Sequence, residues 1–323
     1  MMNRIAIVLF SGIVCMLLLA SGRKKAGDPG KPATIKTLII DPGHGGIDPG
    51  TKGSFSTEAE VSLAIALKFG KLVEKEFPDI KIIYTRTKDE MAGNKRTPTE
   101  GNRYRATLAN ESGGDLFIAF HCNSAPPARH RKQTGYKTQT SYTGKGKNRK
   151  KVTRKVPTYQ YWTTPNPAYG TETYIWAVNK NDAKISAVNR LQDDEYGESD
   201  STAAHMEMPD PSDPVEKARM LIYAQHFFNK SLALADLVEK EFVAKGRNSR
   251  GVKQRNHTGI WVLQATGMPS ILIELGFLSN KEEEEYLNSA TGQDESADAV
   301  LKAFKTYKEG LESKQISTTP PAF

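Results

Sequence analysis

The stretch from Thr37 to Thr51, reading TLIIDPGHGGIDPGT, constrains this chain more than any other. Leu38, Ile39 and Ile40 make a short apolar run closed by Pro42 and Gly43, which reads as a buried strand ending in a tight turn. Glycines at 43, 45 and 46 let the backbone fold closely around His44, where a Cβ would obstruct it. Two later stretches repeat the arrangement: Leu116–Phe120 (LFIAF) ends at His121, and Ser270–Ile273 ends at Glu274 within SILIELGFLSN. If the three strands are parallel neighbours, His44, His121 and Glu274 meet at one rim of the sheet, where ligands collect in open α/β folds. One histidine after a strand is ordinarily a structural residue. Three polar residues at the same end of three core strands carry more weight.

The rest of the chain alternates in the same way. Ser56-Thr57-Glu58 precedes AEVSLAIALKFGKLVEKEF, whose apolar positions recur at helical spacing, with Ser56 or Thr57 as N-cap. Glu58 then falls in the first turn. A carboxylate there serves the cap and the helix dipole, or supplies an oxygen ligand beside His44, and local sequence leaves both readings open. Lys81–Thr85 reads as a strand followed by Arg86, residues 98 to 112 as a helix, and TETYIWAV after Gly170 as a strand. A helix-like piece spans Ala183 to Leu191, and a long amphipathic helix runs from about Pro214 to Val243, carrying His226 as a surface or core histidine rather than a ligand. Gly259–Leu263 (GIWVL) and Ser270–Ile273 read as two closely spaced strands, and Lys281–Leu287 and Asp294–Ser313 as closing helices. The pattern predicts an α/β fold, a mostly parallel twisted sheet with helices on both faces, as one domain over residues 36–313 with a tail over 314–323.

Arg4, an apolar run from Ile5 to Ala20 and the small residues Ala20, Ser21 and Gly22 have the layout of a secretory signal peptide. The run falls short of the roughly 20 residues of a spanning helix, which favours cleavage near residue 22 over an uncleaved anchor. Export would place the protein in the periplasm or cell envelope, with residues 23–35, rich in Lys, Gly and Pro, as a linker. Of the two cysteines, Cys15 leaves with the signal and Cys122 remains as a small buried filler, so the core alone must hold the domain together. The net charge of +8 is unevenly spread: from Ala128 to Pro157 there are 11 Lys or Arg residues and no acid. This basic insertion, Arg129 to Lys155 at its charged extremes, reads either as a solvated mobile loop or as a contact for anionic wall polymer or lipid. Export argues against nucleic acid as a partner.

Two histidines and a carboxylate with an open fourth position make a catalytic zinc site. His44, Glu58 and His121 supply one such set, for one Zn2+ per chain. Glu274 is then left as the general base, taking a proton from the attacking water and returning it to a leaving nitrogen, which is amide hydrolysis. The ligands are scattered, so the HExxH spacing of metalloproteases is absent. Asp41, Arg86, Asn123 and His257 are candidates to orient ligands or substrate.

Here a resemblance enters. DPGHGGIDPGT, the Glu58 helix, FHCNSA and PSILIELGFLSN, in that order, resemble the zinc-dependent N-acetylmuramoyl-L-alanine amidases that cut peptidoglycan during cell separation. The resemblance implies His44, Glu58 and His121 as metal ligands, in preference to Glu60, and Glu274 as the catalytic glutamate. It implies cleavage between the lactyl group of N-acetylmuramic acid and L-alanine of the stem peptide. Division-associated members carry an inserted helix that covers the zinc until an activator protein displaces it; residues 179–213 occupy the matching place and contain Glu195, Glu198 and Glu207. Competing readings are a zinc peptidase acting on stem peptides, a non-catalytic wall-binding module, and an exported polyanion binder.

Overall fold

The first strand, β1 (Thr37–Pro42), is buried along nearly its whole length, and the sheet grows outward from it. The computed structural model describes residues 34–176, 214–255, 260–313 and 316, with side chains in the second segment described from 225 onward. The signal segment 1–22, all but the end of the linker 23–35, the insertion 179–213 with Glu195, Glu198 and Glu207, the piece 183–191, His257, and the tail apart from Ile316 lie outside the described residues. Packing begins just before the sequence boundary at 36, because Ile35 is already part of the core.

β1 leads into helix α1 (Glu58–Glu76), which starts at a capping box: Thr57 accepts from the Glu60 N–H while the Glu60 carboxylate accepts from the Thr57 N–H. Strand β2 (Lys81–Tyr84) returns parallel to β1. Helix α2 (Pro98–Glu111), with the same kind of box at Thr97 and Glu100, then carries the chain to β3 (Leu116–Asn123), parallel to β1 on its other side. Strand β8 (Ser270–Phe277) lies parallel to β3, so β1, β3 and β8 are the neighbours that the apolar runs predicted. Strand β6 (Thr171–Ile175) pairs antiparallel with β8 and parallel with β7 (Ser249–Gln254), completing a six-stranded sheet in the order β2-β1-β3-β8-β6-β7.

Alternation along the strands divides the core in two. Leu38, Ile40, Ile118, Phe120, Ile271 and Ile273 face one layer, where α1, α3 (Pro214–Ala244) and α6 (Ala290–Glu312) pack. Ile39, Phe117, Ala119 and Leu272 face the other, covered by α2 and the short α4 (Trp261–Ala265). Cys122 is a free thiol on the first face, filling space as expected. α5 (Lys281–Asn288) follows β8, and its Glu284 accepts from the backbone N–H groups of Ser54, Phe55 and Ser56, pinning the entry to α1.

Two expectations need correction. The GIWVL run is not a strand, since Trp261–Ala265 is helical; Val262, Leu263 and Ala265 are buried against α2, and a short apolar run does not by itself distinguish strand from buried helix. The strand in this region is instead β7, whose polar sequence SRGVKQ suits a sheet edge facing solvent. The basic insertion is no loop either: β4 (Ala128–Thr143) and β5 (Lys150–Thr164) form a long antiparallel ribbon, a sheet of their own.

Candidate active site

The site is assembled at the carboxyl ends of the parallel strands β1, β3 and β8 and at the amino end of the antiparallel β6. His44 lies on the turn after β1 in the left-handed region, at φ 57°, where a non-glycine residue is strained. The strain is held from below by two buried arginines. Arg105 of α2 donates to the carbonyls of Pro42 and His44 and pairs with Asp41, which also accepts from Thr85 Oγ1 at 2.5 Å. Arg86 donates to the carbonyls of Pro42, Gly43 and Ala59, tying the turn to the first turn of α1. Both Asp41 and Arg86 therefore sit beneath the turn and act on His44 through its backbone.

The facing atoms are His44 Nε2, His121 Nδ1 and Glu58 Oε1. Glu58 Oε1 lies 3.1 Å from the first and 2.8 Å from the second, and one donor atom from each residue lies within 4.8 Å of the others. Glu58 is buried, its other oxygen accepting from the Thr51 N–H at 2.8 Å, while Glu60 is exposed and committed to the cap. Two glycines make room: a Cβ on Gly43 would come within 2.4 Å of the His121 ring, and one on Gly50, at φ 64°, within 2.6 Å of Glu58 Oε2. On the far side of the His44 ring, Nδ1 meets Asp48 Oδ2 at 2.9 Å. A proton on Nδ1 directed at Asp48 leaves the Nε2 lone pair turned toward the Glu58 carboxylate.

Two lone-pair donors and a carboxylate oxygen at such separations repel one another unless a positive charge lies among them. Burial opposes protonation of His44, yet Glu58 and Asp48 outweigh it and raise its pKa to about 9. Burial would likewise raise Glu58, but hydrogen bonds from His121 and His44 hold its carboxyl well below the usual range. A divalent cation meets the same demand without protons, and the His/Glu/His donor set with a carboxylate behind one histidine fits zinc.

Glu274 stands in register with His121 across β3 and β8, on the same sheet face. It is buried; Oε2 has no hydrogen-bond partner among the described residues, and Arg255 is the cation near Oε1, at 3.8 Å. Burial, and next the charge of Glu58, push its pKa up to about 8, against the pull of Arg255. The row continues into β6, where Glu172 is in register with Glu274. Glu172 accepts from Arg250 at 2.5 Å, Lys253 at 2.7 Å, Tyr174 at 2.7 Å and Asn123 at 3.1 Å. Burial works against its charge, but these donors keep the carboxyl low. Asn123 thus borders the cleft, which is lined also by His44, Glu58, His121, Arg255 and Glu274. His226 lies on α3 away from this group, buried beside Phe227.

Asp48, Arg105, Glu172 and Arg255 were not singled out from sequence. Asp48 and Glu172 left a signal: an acid four residues after His44 in the same turn, and a single charged residue inside the β-prone strand TETYI. Arg105 and Arg255 left none.

Residues 38–306 match the family model described as N-acetylmuramoyl-L-alanine amidase, Amidase_3. The chain is 27% identical over 288 residues to the N-acetylmuramoyl-L-alanine amidase AmiC of Escherichia coli, covering 86% of this chain and 55% of that protein. It is 25% identical over 275 residues to an uncharacterized cell wall amidase of Bacillus anthracis, covering 85% of this chain and 36% of the relative. The chain thus spans about half or less of the length of these two relatives. Its fold matches the CwlD amidase of Clostridioides difficile with a TM-score of 0.51 at 23% identity, over 85% of this chain and 98% of that one. With the family model matched from β1 into α6, over the strands that carry His44, His121 and Glu274, this chain belongs to the Amidase_3 family of N-acetylmuramoyl-L-alanine amidases.

Proposed function

We propose that the protein hydrolyses the amide between N-acetylmuramic acid and L-alanine of peptidoglycan stem peptides, as a zinc enzyme exported to the cell envelope. The observation that supports this reading best is the convergence of His44, Glu58 and His121 beside the in-register Glu274. Zinc held by these three residues would polarise the scissile carbonyl and lower the pKa of a water to about 7. Glu274 accepts the proton of the attacking water as its oxygen adds to the carbonyl carbon, then delivers it to the departing nitrogen as the C–N bond breaks. A buried carboxyl held near neutrality suits both steps. Asp48 holds the His44 ring, and Arg255 offers a charge to a substrate carboxylate in the cleft.

Digestion of purified peptidoglycan, with zinc and with chelator, tests this. Stem peptides beginning at L-alanine are the expected products, lost on chelation. Glu274→Gln should lower the rate by about 10²–10⁴-fold with zinc content retained; a variant as active as the parent would remove Glu274 from the chemistry.

A role in cell separation and control by an inserted segment belong to the same proposal. The inhibitory segment would be residues 179–213, with Glu195, Glu198 or Glu207 reaching the site and a partner protein displacing it. The CwlD amidase of Clostridioides difficile was solved in complex with the GerS lipoprotein, so a protein of the same fold takes a protein partner. Deleting residues 182–213 should raise basal activity, and equal activity of the two forms would end the autoinhibition reading.

A further inference from the structure

The β4–β5 ribbon has no place in the amide chemistry and contributes nothing to either core cluster. At 16 and 15 residues its strands extend about 50 Å at a rise of about 3.3 Å per residue. Its root is fixed at the cleft. Ser124 lines the cleft, the Ala125 N–H donates to Ser279 Oγ at 2.9 Å, and the Gly170 N–H donates to Glu283 at 2.9 Å. Between Asp115 and Glu172 the chain carries 11 Lys or Arg residues and no acid. Almost the whole ribbon is solvent-exposed.

The register sorts these residues by face, because cross-strand partners point the same way. Arg131 pairs with Tyr161 and Gln133 with Tyr159; a bulge between Gln133 and Gly135 then brings Tyr136 opposite Pro157, on that same face. Tyr142 opposite Lys151, and Thr138 opposite Lys155, continue it. One face thus carries four tyrosines interleaved with cations. Arg131 lies 4.9 Å from the Tyr159 ring centroid, Arg149 lies 4.4 Å from that of Tyr142, and Tyr159 and Tyr161 are 6.2 Å apart. Tyr136 and Tyr161 remain 67% and 69% exposed, so their ring faces are open to a ligand.

A row of exposed tyrosines stacks on the C–H faces of sugar rings, and arginines and lysines between them pair with carboxylates. A linear stripe fits a linear polymer. A membrane surface would call for apolar side chains at the ribbon tip, but Gly144–Asn148 reads GKGKN. We propose that the tyrosine–cation face of the β4–β5 ribbon binds a carboxylate-bearing glycan strand, holding along its length the polymer whose stem peptides enter the cleft at its root. The identity of that polymer as peptidoglycan rests on the amidase reading.

The test uses the full chain and two triple variants, Tyr136→Ser/Tyr142→Ser/Tyr161→Ser and Arg131→Ser/Lys151→Ser/Lys155→Ser. Two readouts are needed: co-sedimentation with purified peptidoglycan at about 0.15 M salt, and cleavage of a soluble muramoyl-peptide fragment. Each variant should bind sedimented wall roughly tenfold more weakly while cleaving the soluble fragment at the parental rate. Unchanged sedimentation of the tyrosine variant would overturn the proposal. So would displacement of the parent by polyglutamate or single-stranded DNA as readily as by glycan strands, which would mean bulk polyanion binding. Tyrosine-dependent flotation with anionic vesicles in place of wall binding would overturn it in favour of a membrane. If neither the parent nor the form lacking residues 182–213 cleaves either substrate, yet the tyrosine variant loses wall binding, the amidase reading fails and the glycan site stands.

Discussion

At the scale of single residues, the site depends on groups that touch nothing reactive. Asp48 takes the far nitrogen of His44, and Arg105 takes its carbonyl, so the ring is fixed in tautomer and its backbone in a strained conformation. Asp48→Ala should therefore weaken zinc binding by about 10–100-fold while leaving all three donors in place. Competition with a chromogenic chelator measures this, and parental affinity would show that His44 is oriented without Asp48. Glu172 and Glu274 illustrate how environment divides two carboxylates on neighbouring strands. Four donors hold the pKa of one below the usual range, while burial beside another carboxylate raises that of the other.

At the scale of elements, α1 is held at both sides of its start, by its own capping box and by Glu284 from α5, so Glu58 is presented on a rigid first turn. The long helix α3 carries a different consequence. Burial, with Lys230 adding to it, lowers the His226 pKa from 6.5 to about 4. The unfolded chain then binds more protons than the folded one between these values. Stability is full above pH 6.5 and is lost as the pH falls toward 4. His226→Leu should flatten that acid limb by roughly 1–3 kcal/mol in denaturant titrations at pH 7 and pH 4.5. Parallel pH curves for the two proteins would show that His226 stays neutral in neither state.

At the scale of the whole molecule, two bodies of structure obey different rules. The six-stranded sheet and its helices share two buried clusters, whereas the ribbon pairs only with itself. Replacing residues 128–164 by a short Gly-Asn turn should shift the melting temperature of the domain by less than about 3 °C, because no core contact is lost. A larger fall in a thermal scan would reveal that the ribbon supports the cleft.

Much of this protein is written in local patterns. The apolar run before His44, those ending at His121 and Glu274, and the Thr57 cap that sets Glu58 in a first turn are short-range features, each set by strand alternation, turn glycine or helix capping. The separation of Cys122 from His121 onto opposite faces follows from the same alternation. Other features depend on partners far along the chain. The polar edge strand β7 and the helical α4 take their state from what covers them, so neither is marked by its own residues. The mutual register of His121, Glu274 and Glu172 links strands about 50 to 150 residues apart, and only backbone pairing across the sheet sets it. Arg86 and Arg105, charged residues that a sequence places at the surface, lie buried because the strained turn above them exposes carbonyls that only a guanidinium can satisfy in number. The amino-acid sequence by itself determined which residues end the strands and cap the helix, while the tertiary structure alone decided which of them meet, because hydrogen bonds across a sheet join residues that no local pattern relates.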